Sequence, residues 1–360
     1  MYARAFALAN LNSNLRLMKT LTLGLLILML STIAQAHHTS LAIFDPTATT
    51  EIEGVVTEVH WSNPHVRLDI GVADATGDIT EWNIELTSLS AFRSRGYATA
   101  FVEVGEKVKV YGNPAKSGLP SMEGLNLLLE NGTEMVLEFV EGPHYALMGD
   151  APELPVDAGD TDAVQLARES AEGIFRVWNT IIGDPSFPIF RGNYPLTETA
   201  ATIKSEWVPD KEKLESCWSK SIPHIMGTPH PIEFSQSGTD ILLSFEEDDA
   251  RRLIHMLDDN DNRNDEDAVP SRLGYSTGVW EGNTLVVETT KLNSSYLDDR
   301  GTIQSEDMHV IERFTPSENG EQLDFQITFT DPAAFATPVN FAKTFVWQPE
   351  RSIVKWDCDA

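Results

Sequence analysis

The sequence predicts a mainly β protein with two barrels in series, a small OB-like barrel followed by a calycin-like or lipocalin-like antiparallel β-barrel. Residues 51–139 carry three strands, one short helical segment and two further strands, which is the element order of an OB-type barrel. From residue 240 onward a series of short strands follows, several of them joined by tight turns. Successive antiparallel strands close readily into an up-and-down barrel, and its interior can hold one small ligand.

The elements of the first barrel follow from alternating apolar and polar residues. The first predicted strand contains Ile52, Val56 and Trp61 and ends before Asn63-Pro64. The segments "HVRLDIGVA" and "ITEWNIEL" predict the second and third strands. The segment "SLSAFRSRG" begins with Ser and ends with Gly96, which predicts a short helix. Strands in "GEKVKVYGNPAK" and across residues 122–139 complete the barrel.

Composition places the domain boundary after this barrel. Residues 142–165 are rich in Pro, Gly and Asp and lack hydrophobic periodicity, which predicts a linker. The OB-like domain therefore spans residues 37–141 and the second barrel domain residues 166–360. Within the second domain, "VQLARESAEGIFRVWNTII" is predicted to be helical, and the proline-rich residues 183–232 are expected to wrap its outside.

The second barrel is predicted from strand-like segments and two hairpins. The hairpin turns lie at Glu281-Gly282-Asn283 and Glu318-Asn319-Gly320. The predicted strands are "DILLSFEED", "RRLIHMLD", "YSTGVWEG", "NTLVVETTKL", "MHVIERFTP", "EQLDFQITFTD", "FAKTFVWQ" and "SIVKWD".

Residues 1–36 predict a secretory signal peptide, with cleavage after Ala36. Lys19 precedes an apolar run over residues 21–30, and small residues stand at positions 34 and 36. The apolar run is shorter than the roughly 20 residues of a membrane-spanning helix, so no stable membrane anchor is expected after cleavage. Translation is expected to start at Met18. These features predict a periplasmic or secreted protein.

The charge balance argues against polyanionic partners. The chain contains 26 basic and 55 acidic residues and has a formal net charge of −29. Such a surface repels nucleic acids and anionic lipids, and solubility or a saline habitat explains it better. The acidic run over residues 258–268 is interpreted as a calcium-binding loop or a solvated hairpin loop. It departs from an EF-hand because Arg263 and Val269 stand where Gly and Glu are required.

The cysteine content predicts one disulfide. Cys217 and Cys358 are the two cysteines of the chain, and both lie in the exported part. In an oxidising compartment they most simply pair with each other. A weaker interpretation is that both cysteines are free thiols that bind copper or act in catalysis. It is weaker because neither cysteine has a Cys or His neighbour at ligand spacing.

Four residues are candidates for a catalytic or ligand site in the second barrel. "GYSTG" at residues 274–278 resembles the nucleophile elbow around a catalytic serine, here Ser276, but a strand follows it where the elbow needs a helix. One face of the strand "MHVIERF" carries His309 and Arg313, and the other carries Glu312. Whichever face turns inward brings a polar group into the barrel. A polar group on apolar walls is typical of a small-molecule site or of a buried hydrogen-bond network.

Histidines make the first domain a candidate copper site. After cleavage, His37 would offer its amine and its imidazole to one Cu(II) ion, with His38, His60 or His65 as further ligands. This arrangement resembles the histidine brace of lytic polysaccharide monooxygenases and periplasmic copper-resistance proteins. The chain lacks their immunoglobulin-like pattern. His224 and His230, in "PHIMGTPHP", are interpreted as structural.

Longer motifs resemble two uncharacterised modules. "AHHTSLAIFD", "VTEVHWSNPHVRLDI", "WNIEL", "SRGY" and "VGEKVKVYGNPAKSG" are similar to a family of exported bacterial proteins with a mature His-His terminus and a W-x-N-P-H motif. "PHIMGTPHPIEF", "GYSTGVWEGNTLVVETT", "YLDDRG" and "MHVIERF" resemble a second β-barrel module. The resemblance implies no known reaction.

Two classes of function remain open from the sequence. The favoured one is a two-domain periplasmic or secreted protein that binds a small molecule, a metal such as copper, or both. The alternative is a lyase, isomerase or hydrolase in the C-terminal barrel, with His309 and a carboxylate as acid and base. Small-molecule binding is favoured because no nucleophile, metal and base occur together in a recognisable pattern.

Overall fold

The computed structural model describes most of both predicted barrels. Several predictions fall on residues outside the described part, namely the signal peptide, His37 and His38, both cysteines, and residues 259–265 of the acidic run. The described residues are 43–94, 97, 100–137, 142–145, 161–180, 194–208, 220–258, 266–298 and 300–356.

The first domain is a five-stranded barrel with one additional edge strand. The sheet order is β3-β2-β1-β4-β5-β6, and a parallel pairing between β3 and β5 closes the barrel. A short helix, α1 (Leu89–Ser94), connects β3 to β4. This order confirms the OB-like prediction. The strands are β1 (Thr50–His60), β2 (Arg67–Ala73), β3 (Ile79–Glu85), β4 (Lys107–Pro114), β5 (Ser121–Leu128) and β6 (Glu134–Val136).

Alternation along each strand builds the core of this barrel. Ile52, Gly54 and Val56 of β1 are buried while the residues between them face solvent. Leu68 and Ile70 of β2 are fully buried beside them. Phe92 of α1 closes one end of the core and packs against Phe101, with ring centroids 5.0 Å apart.

The second domain is a closed barrel of nine strands. The order is β10-β11-β12-β13-β14-β15-β7-β8-β9. The mainly β, two-barrel fold class is therefore confirmed. The strands are β7 (Val177–Thr180), β8 (Ile232–Ser237), β9 (Asp240–Phe245), β10 (Arg251–Met256), β11 (Tyr275–Glu281), β12 (Thr284–Thr290), β13 (His309–Pro316), β14 (Gln322–Thr330) and β15 (Val339–Trp347).

One strand pair differs from a regular up-and-down barrel. β10 and β11 run parallel and pair only at Ile254–Met256 with Ser276–Gly278, whereas the other neighbouring strands are antiparallel. Residues 257–274 connect the two strands, and because the pairing is parallel, β11 starts at the same end of the barrel as β10. We call the β10–β11 boundary the seam.

The secondary structure at the two ends of the second domain was predicted only in part. The helix expected over residues 164–182 ends early: α2 spans Thr161–Ser170, and the segment then becomes β7. Trp178 and Thr180 favour a strand, and β7 is held between β15 and β8. The segment "SIVKWD" is not a barrel strand, because Trp356 instead forms a bridge with Asn63 of the first domain.

The helices are short. α1, α2 and α3 (Glu198–Glu206) have 6, 10 and 9 residues. Within the part of the chain that the structure describes, no helix has the length and apolarity to cross a membrane. Thr197 caps α3, since its hydroxyl accepts a hydrogen bond from the backbone N–H of Ala200 at 3.1 Å.

Aromatic side chains fill much of the second barrel. Phe314 lies 5.1 Å from Phe234 and 5.0 Å from Phe325, measured between ring centroids. Phe345 continues this contact chain, and Trp178 is fully buried near it. Packed aromatic rings leave little empty space in this part of the interior. The buried polar side chains described next differ from it in character.

Candidate functional site

The structure settles which face of β13 points into the barrel. Val310, Glu312 and Phe314 are fully buried, while His309 and Arg313 lie on the outer face. His309 Nε2 lies 2.6 Å from Glu288 Oε1, and Arg313 donates to Glu281 at 2.7 Å; both pairs are exposed to solvent. His309 and Arg313 are thus placed away from Glu312.

Glu312 forms a buried ion pair with Arg252 of β10. Arg252 Nη2 lies 2.5 Å from Glu312 Oε2, and neither side chain is more than 1 % exposed. Arg252 Nη2 also donates to the Thr289 hydroxyl at 2.5 Å, and Arg252 Nε donates to Ser276 Oγ at 2.8 Å. The structure thus brings together two of the sequence candidates, Ser276 and Glu312, through an arginine that the sequence did not single out.

Ser276 lies within a strand rather than at a sharp turn. β11 runs without interruption through Ser276, so the oxyanion-binding helix of a nucleophile elbow is absent from this described segment. The backbone structure explains why both glycines of "GYSTG" are glycine. Gly274 has φ +68°, and a Cβ at Gly278 would lie 2.7 Å from Ile254 Cγ2 across the seam. The motif therefore serves the approach of β11 to β10.

The buried ion pair leaves two polar atoms without hydrogen bonds. Arg252 uses Nε and Nη2, while its Nη1 has no partner among the described residues. Glu312 uses Oε2, while its Oε1 has none. Buried polar atoms are normally paired, and each exception calls for an explanation such as a bound polar group.

A cavity of about 480 Å³ adjoins Arg252 at the seam. The buried Arg252 and Ser276 line it together with the exposed Arg251 and Leu253, so the cavity extends from the surface to the barrel wall. Its size is within the range of small-molecule sites. The remaining lining residues are His255, Ser271, Arg272, Leu273, Gly274 and Tyr275.

The cavity is cationic although the chain as a whole is strongly acidic. Arg251 donates to the neutral Ser244 hydroxyl at 3.1 Å. Burial lowers the pKa of Arg272, and the negative charge of Asp248 acts in the opposite direction. His255 lies 3.2 Å from Asp240 and stacks on Tyr275. Three guanidinium groups around one cavity favour a ligand with negative charge.

A second polar cluster joins the two barrels. Glu246 is fully buried and accepts hydrogen bonds from Asn63 Nδ2 at 3.1 Å, from the Ser90 hydroxyl, and from the Val354 backbone N–H at 2.8 Å. His230 lies 3.8 Å from Glu246. We call Asn63, Ser90, His230, Glu246 and Val354 the junction cluster.

Burial shifts the pKa values of the acids and bases around this junction. It raises the pKa of Glu246 to about 7 and lowers the pKa of His230 to about 4. Burial raises the pKa of Glu247, but the charges of Lys220 and His230 and the hydrogen bonds from Lys220 and Thr228 together lower it to about 2. Burial lowers the pKa of Lys343 to about 7. Glu246 of the cluster, and Lys343 near it, therefore have pKa values near neutral pH.

The histidines predicted as copper ligands lie in different surroundings. His65 Nδ1 lies 3.0 Å from the Leu86 carbonyl and its Nε2 3.6 Å from Glu85, on the junction side of the first barrel. His60 is on the exposed end of β1. His37 and His38 are outside the described residues, so their relation to either histidine stays a prediction.

His60 belongs to a group that could hold a metal ion. Glu58 and Asp69 face each other across the β1–β2 ladder, and His60 follows two residues after Glu58. One donor atom from each of the three lies within 4.8 Å of the others. A nitrogen and two carboxylate oxygens suit a divalent transition metal.

Sequence reasoning missed Arg252 and the junction cluster. Arg252 stands in "RRLIHM", where alternation predicted a strand but not which arginine points inward. The signal for the junction was present in the motifs "WSNPH" and "PHIMGTPHP", which contribute Asn63, His65 and His230. Those motifs lie about 160 residues apart, so their contact could not be inferred from local patterns.

Comparison with known protein families gives a match over the N-terminal part of the chain. Residues 25–126 match the model of a family described as a family of unknown function, DUF6152. That match agrees with the expected relationship to an uncharacterised family over the first barrel. No curated protein and no solved structure matches the chain.

Proposed function

We propose that this chain is an exported two-domain binding protein whose C-terminal barrel holds a small organic molecule at the seam. The observation that carries the proposal is the cavity of about 480 Å³ bordered by the buried Arg252. Cationic side chains surround it, with Leu253 and Leu273 as apolar walls, which favours an anionic organic ligand. The predicted export signal supports a periplasmic or secreted location.

Native mass spectrometry of the protein purified without denaturation tests the proposal. The wild type is expected to carry a small molecule that dissociates on unfolding. Leu253→Trp should abolish this mass difference, because Leu253 is 40 % exposed and lines the cavity. The matched control is Leu119→Trp, at a site 68 % exposed in the first domain. Equal occupancy in both variants, or none in the wild type, would refute the proposal.

A second candidate function is Cu(II) binding by the first domain. The arrangement of Glu58, His60 and Asp69 favours it, since their donor atoms lie within 4.8 Å of one another. The predicted mature amine and imidazole of His37 would add nitrogen ligands, which Cu(II) prefers. We propose that copper binds through these two sets of donors.

Calorimetric titration of the mature protein with Cu(II) tests this candidate. His60→Gln and one additional Ala before His37 should each weaken the affinity. The control His309→Gln removes an exposed imidazole in the second barrel and should leave copper binding unchanged. Equal affinity in all four proteins would count against both sets of ligands.

A further inference from the structure

We infer that the seam cavity recognises a small carboxylate that also carries a hydrogen-bond donor, such as a 2-hydroxy or 2-amino acid. This inference rests on the proposed function and adds the chemical class of the ligand. Its basis is the unused Nη1 of Arg252, which lines the cavity, together with the unused Oε1 of Glu312, the ion-pair partner of Arg252.

The first step concerns the carboxylate. The guanidinium group of Arg252 is held by Ser276, Thr289 and Glu312 through Nε and Nη2, so its orientation is fixed while Nη1 keeps its hydrogens available. A planar guanidinium group binds carboxylates with well-defined geometry. Arg251 and Arg272 line the same cavity and attract the anion toward it.

The second step concerns the donor group. Glu312 Oε2 accepts from Arg252 Nη2 at 2.5 Å, and Oε1 belongs to the same carboxylate. The available acceptor Oε1 and the available donor Nη1 therefore belong to the two groups that this contact joins. A ligand that presents an acceptor and a donor on neighbouring carbon atoms matches this arrangement. An aliphatic carboxylate without a hydroxyl or amino group would leave Oε1 unpaired.

The third step concerns access. Both atoms are buried, and the two strands of the seam pair at only three positions, Ile254–Met256 with Ser276–Gly278. Arg252 precedes this paired stretch, and the cavity lies along it. The unpaired part of the seam beside Arg252 is therefore the route that we assign to a ligand reaching Nη1 and Oε1.

Three probe molecules separate these contacts in calorimetric titrations. Mandelate carries a carboxylate and a hydroxyl, phenylacetate lacks the hydroxyl, and mandelamide lacks the charge. Wild-type protein, unfolded and refolded to remove any bound molecule, should bind mandelate. Phenylacetate and mandelamide should each bind roughly tenfold more weakly, since phenylacetate leaves Oε1 unpaired and mandelamide replaces a charge-assisted hydrogen bond by a neutral one. Failure to bind mandelate, or equal binding of all three, overturns the inference.

A double variant tests the residues without leaving a buried charge. Arg252→Met with Glu312→Leu replaces the ion pair by apolar side chains, a change that folded barrels can tolerate. This variant should keep its far-ultraviolet circular dichroism spectrum and lose mandelate binding. Ser276→Ala, a milder change, should weaken binding less. The control Arg313→Met also removes a positive charge, but from the outer face, and should bind mandelate like the wild type.

The outcomes distinguish this inference from the proposed function. If native mass spectrometry finds a bound molecule that lacks a carboxylate, and Leu253→Trp excludes it, the cavity binds a ligand but the assigned class is wrong. If Leu253→Trp changes neither native occupancy nor mandelate binding, the proposed site itself is wrong. Unchanged mandelate binding by the double variant likewise overturns the assignment of Arg252 and Glu312.

Discussion

Glu246 lies fully buried where the two barrels meet, and it accepts hydrogen bonds from both of them. Its pKa is raised to about 7 because burial disfavours the charged form more than its hydrogen bonds favour it. Facing it are the junction residues Ser90, Asn63 and His230, together with the positive charge of Arg93. At the scale of a single residue, the junction therefore holds a group that changes charge near neutral pH.

The first prediction concerns Glu246→Gln. Between about pH 4.5 and 7 the folded wild type holds a proton on Glu246 that the unfolded chain has released, so this group's contribution to stability falls as pH rises through that window. The variant cannot titrate at this position. The free energy of unfolding of the wild type, minus that of the variant, should therefore decrease from pH 5 to pH 8, by up to about 3 kcal/mol.

Urea unfolding at several pH values measures this difference. The shift of His230, which acts in the opposite direction below pH 6.5, is common to both proteins and largely cancels in the subtraction. Glu103→Gln, at an exposed site in the first barrel, serves as the control and should show a flat difference. A wild-type advantage that grows with pH would contradict the assigned protonation of Glu246.

The sequence predicted only in part which side chains of the candidate site point into the barrel. Alternation along β13 showed that either Glu312 or the pair His309 and Arg313 must face inward, but both strand faces mix apolar and polar residues. Only the pairing of β13 with its neighbours decides between them. Arg252 could not be chosen over Arg251, because two adjacent arginines give the same composition to both faces of β10.

At the scale of elements, the seam depends on the glycine at its parallel pairing. Gly278 pairs with Met256, and a Cβ added there would lie 2.7 Å from Ile254 Cγ2 and 2.9 Å from Met256 Sδ. Gly278 therefore lets β11 approach β10 closely enough to close the barrel. A side chain here would force the two strands apart.

The second prediction concerns Gly278→Ala. Overpacking at the seam should lower the free energy of unfolding by about 1–3 kcal/mol. The measurement is urea unfolding followed by intrinsic tryptophan fluorescence. Thr277→Ala, on the neighbouring and less buried position of the same strand, should change stability by less than about 1 kcal/mol. If the two substitutions have equal effects, close approach at Gly278 is not what holds the seam.

Elements were predictable where local patterns decide them. The hairpin at Glu281-Gly282-Asn283 follows from its turn residues, and Gly282 adopts the expected left-handed φ of +65°. β7 was missed because Val177–Thr180 has two apolar residues followed by two polar ones, without the alternation of a strand. It also follows directly on a segment with a helical pattern. The parallel pairing at the seam was missed because it depends on where a long connection returns, which no local pattern encodes.

At the scale of the whole molecule, one turn holds several parts of the chain together. Residues 247–249 follow β9, and Asp249 accepts a hydrogen bond from the Trp356 backbone N–H at 3.2 Å. The neighbouring Asp248 accepts from the Lys220 backbone N–H, also at 3.2 Å. Lys220 and Trp356 are the described residues nearest in sequence to Cys217 and Cys358, so both contacts favour the predicted disulfide.

The third prediction is that Cys217 and Cys358 form this disulfide in the exported protein. Its intact mass without reduction should be lower by two hydrogens than the reduced mass. Replacing either cysteine by Ser, or both, should reduce stability by a similar amount, about 2–5 kcal/mol. Alkylation of two thiols in the native, unreduced protein would contradict the pairing.

The overall architecture was largely predictable and the junction was not. The order of strands and helix in the sequence predicts an OB-like barrel followed by a larger β-barrel, as observed. This was possible because turn residues and alternation identify each element locally. Asn63, Ser90, Glu246 and Trp356 meet from four separate parts of the chain. Their contact arises from tertiary packing of the two domains, which single-sequence patterns do not specify.

The central claim, that a small molecule occupies the seam cavity, is tested most directly at Arg252. Arginine-labelled protein purified without denaturation is compared by nuclear magnetic resonance with the same protein after unfolding, dialysis and refolding. The account predicts that the guanidinium signals of Arg252 differ between the samples and that the small-molecule extract released on unfolding restores them, while those of Arg313 stay unchanged. Identical Arg252 signals in both samples, with no response to the extract, would contradict it.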